Sequence, residues 1–147
     1  MLVTICVLSL ILLFIFIKKE NALSAIAYLG LIYIFNKNLD DVATALDWYD
    51  YRIQLEPIIP TMLPANLFII PIGFCILYSR YEQWKYFLIA NSIFAALISY
   101  ATLPLMKMVN IYSEKSWNAH LSFLSLIIIS ILSKAIVDRL KSKYKTV

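Results

Sequence analysis

The sequence predicts an all-α integral membrane protein, a transmembrane bundle of five helices with a short interfacial helix between the second and third spans. Three observations carry that expectation. Of 147 residues, 62% are hydrophobic and only 15% charged, against roughly 25% charged in an ordinary soluble domain, and the mean hydropathy is +0.79. The apolar residues gather into five blocks, about residues 2–17, 22–35, 60–78, 86–105 and 119–137, and a helix needs about 20 such residues to cross a bilayer. If each block crosses, nine of the 13 Lys and Arg residues share one face: Lys18, Lys19, Arg80, Lys85, Lys134, Arg139, Lys141, Lys143 and Lys145. Lys37, Arg52, Lys107 and Lys115 lie on the other. Cytoplasmic loops carry this kind of excess. The expected arrangement is a single membrane domain over residues 1–147, with its N-terminus outside and its C-terminus in the cytoplasm, in the cell membrane.

Met1 to Ile17 carries no charged side chain, and Lys18 and Lys19 follow it. A signal peptide has its positive charge ahead of its apolar core, so this segment is expected to stay as the first helix, with cleavage around Ala22 to Ala25 as the alternative. The second block, ending at Asn36-Lys37-Asn38, is short enough for a re-entrant segment to compete with a crossing. Charge arbitrates. Without that crossing the basic residues divide evenly, whereas with it Asp40, Asp41, Asp47, Asp50, Glu56 and Glu114 also fall outside, against Glu20, Glu82 and Asp138 inside.

Between Lys37 and Glu56, Leu39, Val42, Leu46, Tyr49 and Ile53 recur at spacings of three and four. On a helix they form one stripe, which predicts a short amphipathic helix lying on the membrane interface or against the other helices. Asn38 would be its N-cap, Asp40 and Asp41 would sit at the positive end of its dipole, and Trp48, Tyr49 and Tyr51 would join the interfacial aromatic belt. Pro57, Pro60 and Pro64 delay the third span to about residue 60 or 64. Pro71 is expected to kink that span, with Gly73 leaving room for a neighbour at the bend. In the fourth span Ser92/Ala96 and Ala95/Ser99 have the small-xxx-small spacing that permits close packing, and Pro104 closes it. In the fifth, Lys134 is placed to snorkel toward the cytoplasm.

Chemistry has few candidates. Asp40, Asp47 and Asp50 form an acidic outer segment with Glu56 beyond it; paired acidic motifs of this kind hold magnesium diphosphate in membrane prenyltransferases, but the second motif is missing. His120, the single histidine, stands at the mouth of the fifth span, where it could relay a proton or bond a neighbouring helix. Asn66, Asn91 and the serines Ser122, Ser125, Ser130 and Ser133 are intramembrane polar groups, suited to a polar seam or to helix packing. Cys6 and Cys75 lie in apolar blocks and read as small hydrophobes. No catalytic set, metal site or cofactor is expected, and the basic residues flank membrane spans without a nucleic-acid motif.

Trp48-Tyr49-Asp50-Tyr51, Glu56-Pro57 with Pro60 and Pro64, Pro71, and Trp117-Asn118 resemble the pattern of a group of small, uncharacterised multi-pass membrane proteins of Gram-positive spore-forming bacteria. The resemblance covers about the C-terminal two-thirds of the chain. It implies a five-helix protein of a bacterial plasma membrane and brings no reaction with it. The leading expectation is a non-enzymatic membrane component or complex subunit, embedded in the lipid bilayer and packing with a second copy or a membrane protein partner. A channel or small-molecule transporter is the alternative, then a membrane enzyme or lipid-binding protein using the outer acidic segment.

Overall fold

The computed structural model describes residues 7–8, 11–13, 15–17, 19–51 and 68–144. Most of them are helical. Positions 7–8, 11–13 and 15–16 are helical, and Leu13 and Ile17 pack against the core; the rest of the expected first span, and the start of the third, lie outside the described residues. After a single turn over Lys19–Asn21 come α1 (Ala22–Ala45), β1 (Tyr49–Tyr51), α2 (Ile70–Arg80), α3 (Trp84–Met108), β2 (Tyr112–Glu114) and α4 (Ala119–Tyr144). The helices α1, α3 and α4 are long and apolar enough to cross a membrane.

These helices close a ring in which α1 packs on α2 and α4, and α3 on α2 and α4. Its outside is apolar: Leu23, Ile26 and Ile34 of α1, Ile89, Ile93 and Leu97 of α3, and Leu124, Ile128 and Leu132 of α4 are all exposed. Its inside holds Asn36, Asp40, Asn91, Ser99, Ser130, Ser133 and Lys134 beside Tyr28, Phe74 and Phe87. A soluble bundle has the opposite arrangement. The glycine expected to admit a neighbour does so within this ring, because Gly73 lies against the Phe94 ring.

Among the described residues no separate interfacial helix forms. The second span instead continues without a break to Ala45, and Asn38, expected as an N-cap, sits inside the helix with its Nδ2 donating to the Ile34 carbonyl (2.7 Å). Lys37 and Asp41, one turn apart, form an ion pair that supports the continuation. The expected stripe divides: Val42 and Leu46 are exposed on the outside of the bundle and Tyr49 is buried, while Asp40 and Ala43 of α1 face the interior. Ala25, Tyr28, Ile32, Asn36, Asp40 and Ala43 make the buried face, and apolar residues on the outside of the bundle carry the periodicity that in a soluble helix would mark the core.

Two helices then end by the same device. Asp47 (φ 59°) and Asn110 (φ 58°) take the left-handed conformation, which these two residue types tolerate better than most. Around Asp47, the Trp48 amide donates to Ala43 (2.9 Å) and the Asp47 amide to Thr44; around Asn110, Ile111 donates to Met106 (2.9 Å) and Asn110 to Lys107. These are paired Schellman closures. Each leads directly into a strand, and β1 and β2 pair antiparallel with Tyr51 opposite Tyr112, so the chain is not purely α-helical.

Pro71 and Pro104 sit beside π-helical turns. Pro71 is the second residue of α2, which directly follows π-helical residues 68–69, with Ile69 itself in the helical region (φ −62°, ψ −53°), so a widened turn precedes a residue that cannot donate. Pro104 does not close the fourth span: α3 passes through a π-helical stretch, Leu97–Thr102, and continues to Met108. The wider turn, in which the Leu103 amide reaches back to Ile98, accommodates a proline that cannot donate and would crowd an ordinary α-turn. The last helix, α4, runs on to Tyr144, beginning with the Asn118 side chain capping the Leu121 amide (2.9 Å).

Candidate functional site

The buried face of α1 places polar groups at three depths of the bundle. At the end formed by β1 and β2, Asp40 is 4% exposed and its Oδ1 accepts hydrogen bonds from Tyr49 Oη (2.6 Å) and Tyr51 Oη (3.0 Å). Tyr49, Tyr51 and Tyr112 pack ring to ring. Stacked Trp48 and Trp117, with centroids 5.1 Å apart, lie beside them. The Trp48 carbonyl accepts the amides of Lys115, Ser116 and Trp117, which ties the two loops together. A cavity of about 60 Å³ lies next to Asp40, lined on its polar side by Asn36, Tyr49, Tyr51, Ser122 and Ser125 and on its apolar side by Ile70, Ile98 and Leu126. A few water-sized groups fit such a space.

Burial raises the pKa of Tyr49, Tyr51 and Tyr112 above the ordinary tyrosine value, and negative charge adds to it. For Tyr51 that charge is Asp40, for Tyr49 it is the Tyr51 phenol once ionised and then Asp40, and for Tyr112 it is Glu114 and then Asp40. All three phenols therefore stay protonated at neutral pH. Tyr49 and Tyr51 act as hydrogen-bond donors to Asp40 rather than as bases.

At mid-depth Tyr28 Oη meets Ser130 Oγ (2.6 Å), and Ser130 in turn bonds Asn91 Oδ1. That one chain of groups joins α1, α3 and α4. Among the described residues Asn91 Nδ2 and Ser99 Oγ are buried without a hydrogen-bond partner.

At the opposite end Lys134 is 2% exposed, which corrects the expectation that it snorkels to the surface. Its Nζ pairs with Asp138 (3.1 Å), donates to the Glu82 carbonyl (3.3 Å), and lies 4.8–5.2 Å from the ring centroids of Tyr78, Trp84 and Phe87. Three aromatic faces and a carboxylate make a site where an ammonium is favoured away from bulk water. Tyr78 Oη donates to Asp138 as well (3.0 Å).

The residues expected to carry chemistry do not converge. Asp47 is exposed and paired with Lys115, Asp50 is exposed and accepts the amide of Tyr51, and His120 is exposed with its Nδ1 bonded to Tyr100 Oη (2.7 Å). Glu56 and Asn66 lie outside the described residues. Of the small residues of the fourth span, Ala95 and Ser99 are buried inside the chain's own ring while Ser92 and Ala96 are half-buried. Among the described residues no group of three or more His, Cys, Asp or Glu side chains could hold a metal ion. Asn36 and Lys134 were the residues sequence reasoning passed over as interior groups. For Asn36 the signal was present, since it continues the series 25, 28, 32, 36, 40, 43 along one helix face. Comparison with protein-family models, with curated proteins and with solved structures returned no significant match.

Proposed function

We propose that the protein is a multi-pass integral membrane component of a bacterial plasma membrane, of the small spore-former type its aromatic and proline pattern resembles. It has five spans, an outer N-terminus and a cytoplasmic C-terminus, and it acts by association rather than by catalysis. The observation that carries this reading is the inverted distribution of residues, with Asp40, Asn91, Ser130 and Lys134 inside and leucine and isoleucine outside. Only a lipid environment makes that the low-energy arrangement, because buried polar groups then pair with one another while the apolar surface meets acyl chains. The separation of Asp40, Asp47 and His120 supports the non-enzymatic half of the reading, since a nucleophile needs its base and orienting group within reach. The basic residues Arg80, Lys85, Arg139, Lys141 and Lys143 share the bundle end that carries Lys134, which supports the orientation.

A polar series from Lys134 through Asn91 to Asp40, with the cavity beside Asp40, favours a second reading, passage of a small solute. Two measurements separate the readings. In a background with Cys6 and Cys75 replaced by Ser, A45C is expected to react with a membrane-impermeant maleimide from outside intact cells, and S142C only after permeabilisation; the reverse pattern overturns the orientation. A photo-crosslinking residue at the exposed Ile93 position is expected to yield a protein adduct in native membranes. Adducts to lipid alone, together with labelling of N91C from the aqueous phase, would favour the solute pathway.

A further inference from the structure

We propose that the pocket at the basic end of the bundle binds the phosphate headgroup of an anionic membrane phospholipid. This rests on the membrane reading above and names the lipid class it recruits. The pocket, about 120 Å³, is lined by Asn21, Tyr78, Glu82, Lys134, Asp138 and Lys141, and so gathers the start of α1, the α2–α3 turn and the end of α4. Its depth is set by aromatics. Trp84 and Tyr86 are exposed on the adjoining turn of α3, and such residues sit at the headgroup level; the Trp84 ring also forms one wall of the Lys134 cage.

The charges are not symmetrical in what they have left to give. Asp138 is engaged by Lys134 and by Tyr78, and a Glu82 carboxylate oxygen accepts from Asn21 Nδ2 (2.7 Å). Lys141, seven residues beyond Lys134 and so on the same side of α4, makes a single side-chain hydrogen bond among the described residues, to the neutral Oδ1 of Asn21 (3.0 Å). It belongs to none of the ion pairs found among them. An ammonium has three donors, so Lys141 offers two to an anion. The charge of the caged Lys134 is matched by Asp138, so the surplus of positive charge at this end comes from Lys141 together with Arg80, Arg139 and Lys143, which stand nearby in sequence. A pocket between helices at a basic end of the bundle, with an ammonium that has donors to spare, is the form in which phosphate headgroups are held.

The test uses the full chain in detergent micelles, with bound phospholipid counted by native mass spectrometry. Phosphatidylglycerol is expected to be retained in preference to phosphatidylcholine. Retention should weaken about fivefold in K141Q, the scale of one surface lysine's attraction to anionic lipid, persist in K141R, and be unchanged in K107Q at the other end. Equal retention of both lipids, or K141Q behaving as the parent chain, overturns the site. Inorganic phosphate held as tightly as phosphatidylglycerol would assign the pocket to a soluble anion and overturn the lipid assignment. Alkaline carbonate extraction keeps the two proposals apart: a chain released from membranes defeats the membrane reading, whereas a retained chain without lipid preference defeats only the headgroup site.

Discussion

Gly73 offers a perturbation whose sign depends on one neighbouring ring. A Cβ built there would lie 2.2 Å from Phe94 Cζ and 2.6 Å from Cε1, whereas carbon atoms rest at about 3.5–4.0 Å. The ring would have to move by more than about 1 Å to restore that spacing. It is not free to do so cheaply, because it stands edge-on to Phe74, centroids 5.0 Å apart at 88°, and Phe74 is 1% exposed. Overpacking of this kind costs about 1–3 kcal/mol. Opposing it, alanine is better than glycine within a helix by about 1 kcal/mol. Gly73→Ala is therefore expected to destabilise by about 1 kcal/mol net, a fall in Tm of about 2–4 °C for a chain of this size. In a Phe94→Ala background the ring is gone and only the helix preference remains, so the same substitution should raise Tm. Thermal unfolding in detergent micelles, followed by tryptophan fluorescence, completes the double-mutant cycle. The expected coupling is about 1–3 kcal/mol. If Gly73→Ala raises Tm equally in both backgrounds, the close approach of α3 to α2 argued from Gly73 is wrong.

Three further substitutions probe the interior and one cap. Asp40→Asn turns two charge-assisted hydrogen bonds into neutral ones and should cost about 1–3 kcal/mol at neutral pH. The raised tyrosine pKa values give a pH signature: their contribution is complete below about pH 10, the unfolded value, and is lost as pH rises through the folded values. Asp40→Asn removes one cause of the elevation at Tyr49, Tyr51 and Tyr112, so the alkaline decline should be smaller in the variant; an identical decline in Tm against pH would contradict this. Asn91→Leu loses the bond from Ser130 but removes the orphaned Nδ2, and is expected to leave Tm unchanged or raise it, with a loss above about 2 kcal/mol arguing that Nδ2 is paired. Asn110→Val places a β-branched residue at a left-handed position and should cost at least about 1–2 kcal/mol, read as lower Tm; an unchanged Tm would remove the cap from the account.

The long helices were legible because span length and apolar composition survive any detail of packing. What misled was the meaning of periodicity. Leu39, Val42 and Leu46 do form a stripe, but α1 turns Val42 and Leu46 outward and buries Asp40 and Ala43, since lipid rather than protein covers the apolar side. Asn36-Lys37-Asn38 read as a helix end for the same reason. Inside α1 the Lys37–Asp41 pair and the Asn38 bond to Ile34 satisfy these groups locally. The β1–β2 pairing had no sequence signal of its own beyond Asp47 and Asn110, each two residues before a tyrosine that begins a strand, and long-range pairing of that kind is not encoded in either segment alone. Lys134 was misread because a lysine near a helix end normally snorkels. Here Tyr78, Trp84 and Phe87 come from two other helices to enclose it, a coincidence visible only after packing.

The polar groups also explain how a bundle with a lipid-covered exterior selects one register. Apolar contact between helices gains little over apolar contact with acyl chains, so leucine and isoleucine faces can slide past one another at small cost. Hydrogen bonds cannot. Tyr28, Ser130 and Asn91 join three helices at mid-depth; shifting α4 by a single turn, about 5.4 Å, would leave all three groups unpaired, and shifting α1 or α3 would unpair Tyr28 or Asn91. Asp40 with its two tyrosines fixes α1 against β1 at one end, and Lys134 with Asp138 and Glu82 fixes α4 against the α2–α3 turn at the other. The Cys75 thiol, donating to the Ala25 carbonyl (3.2 Å), adds α2 to the set. Three anchors at different depths determine both the translation and the tilt of each helix, which two anchors at one depth would not. It follows that a variant losing both bonds of the central anchor, Ser130→Ala, should keep its helical content and membrane insertion while losing uniqueness of packing, whereas Asn91→Leu keeps the Tyr28–Ser130 bond.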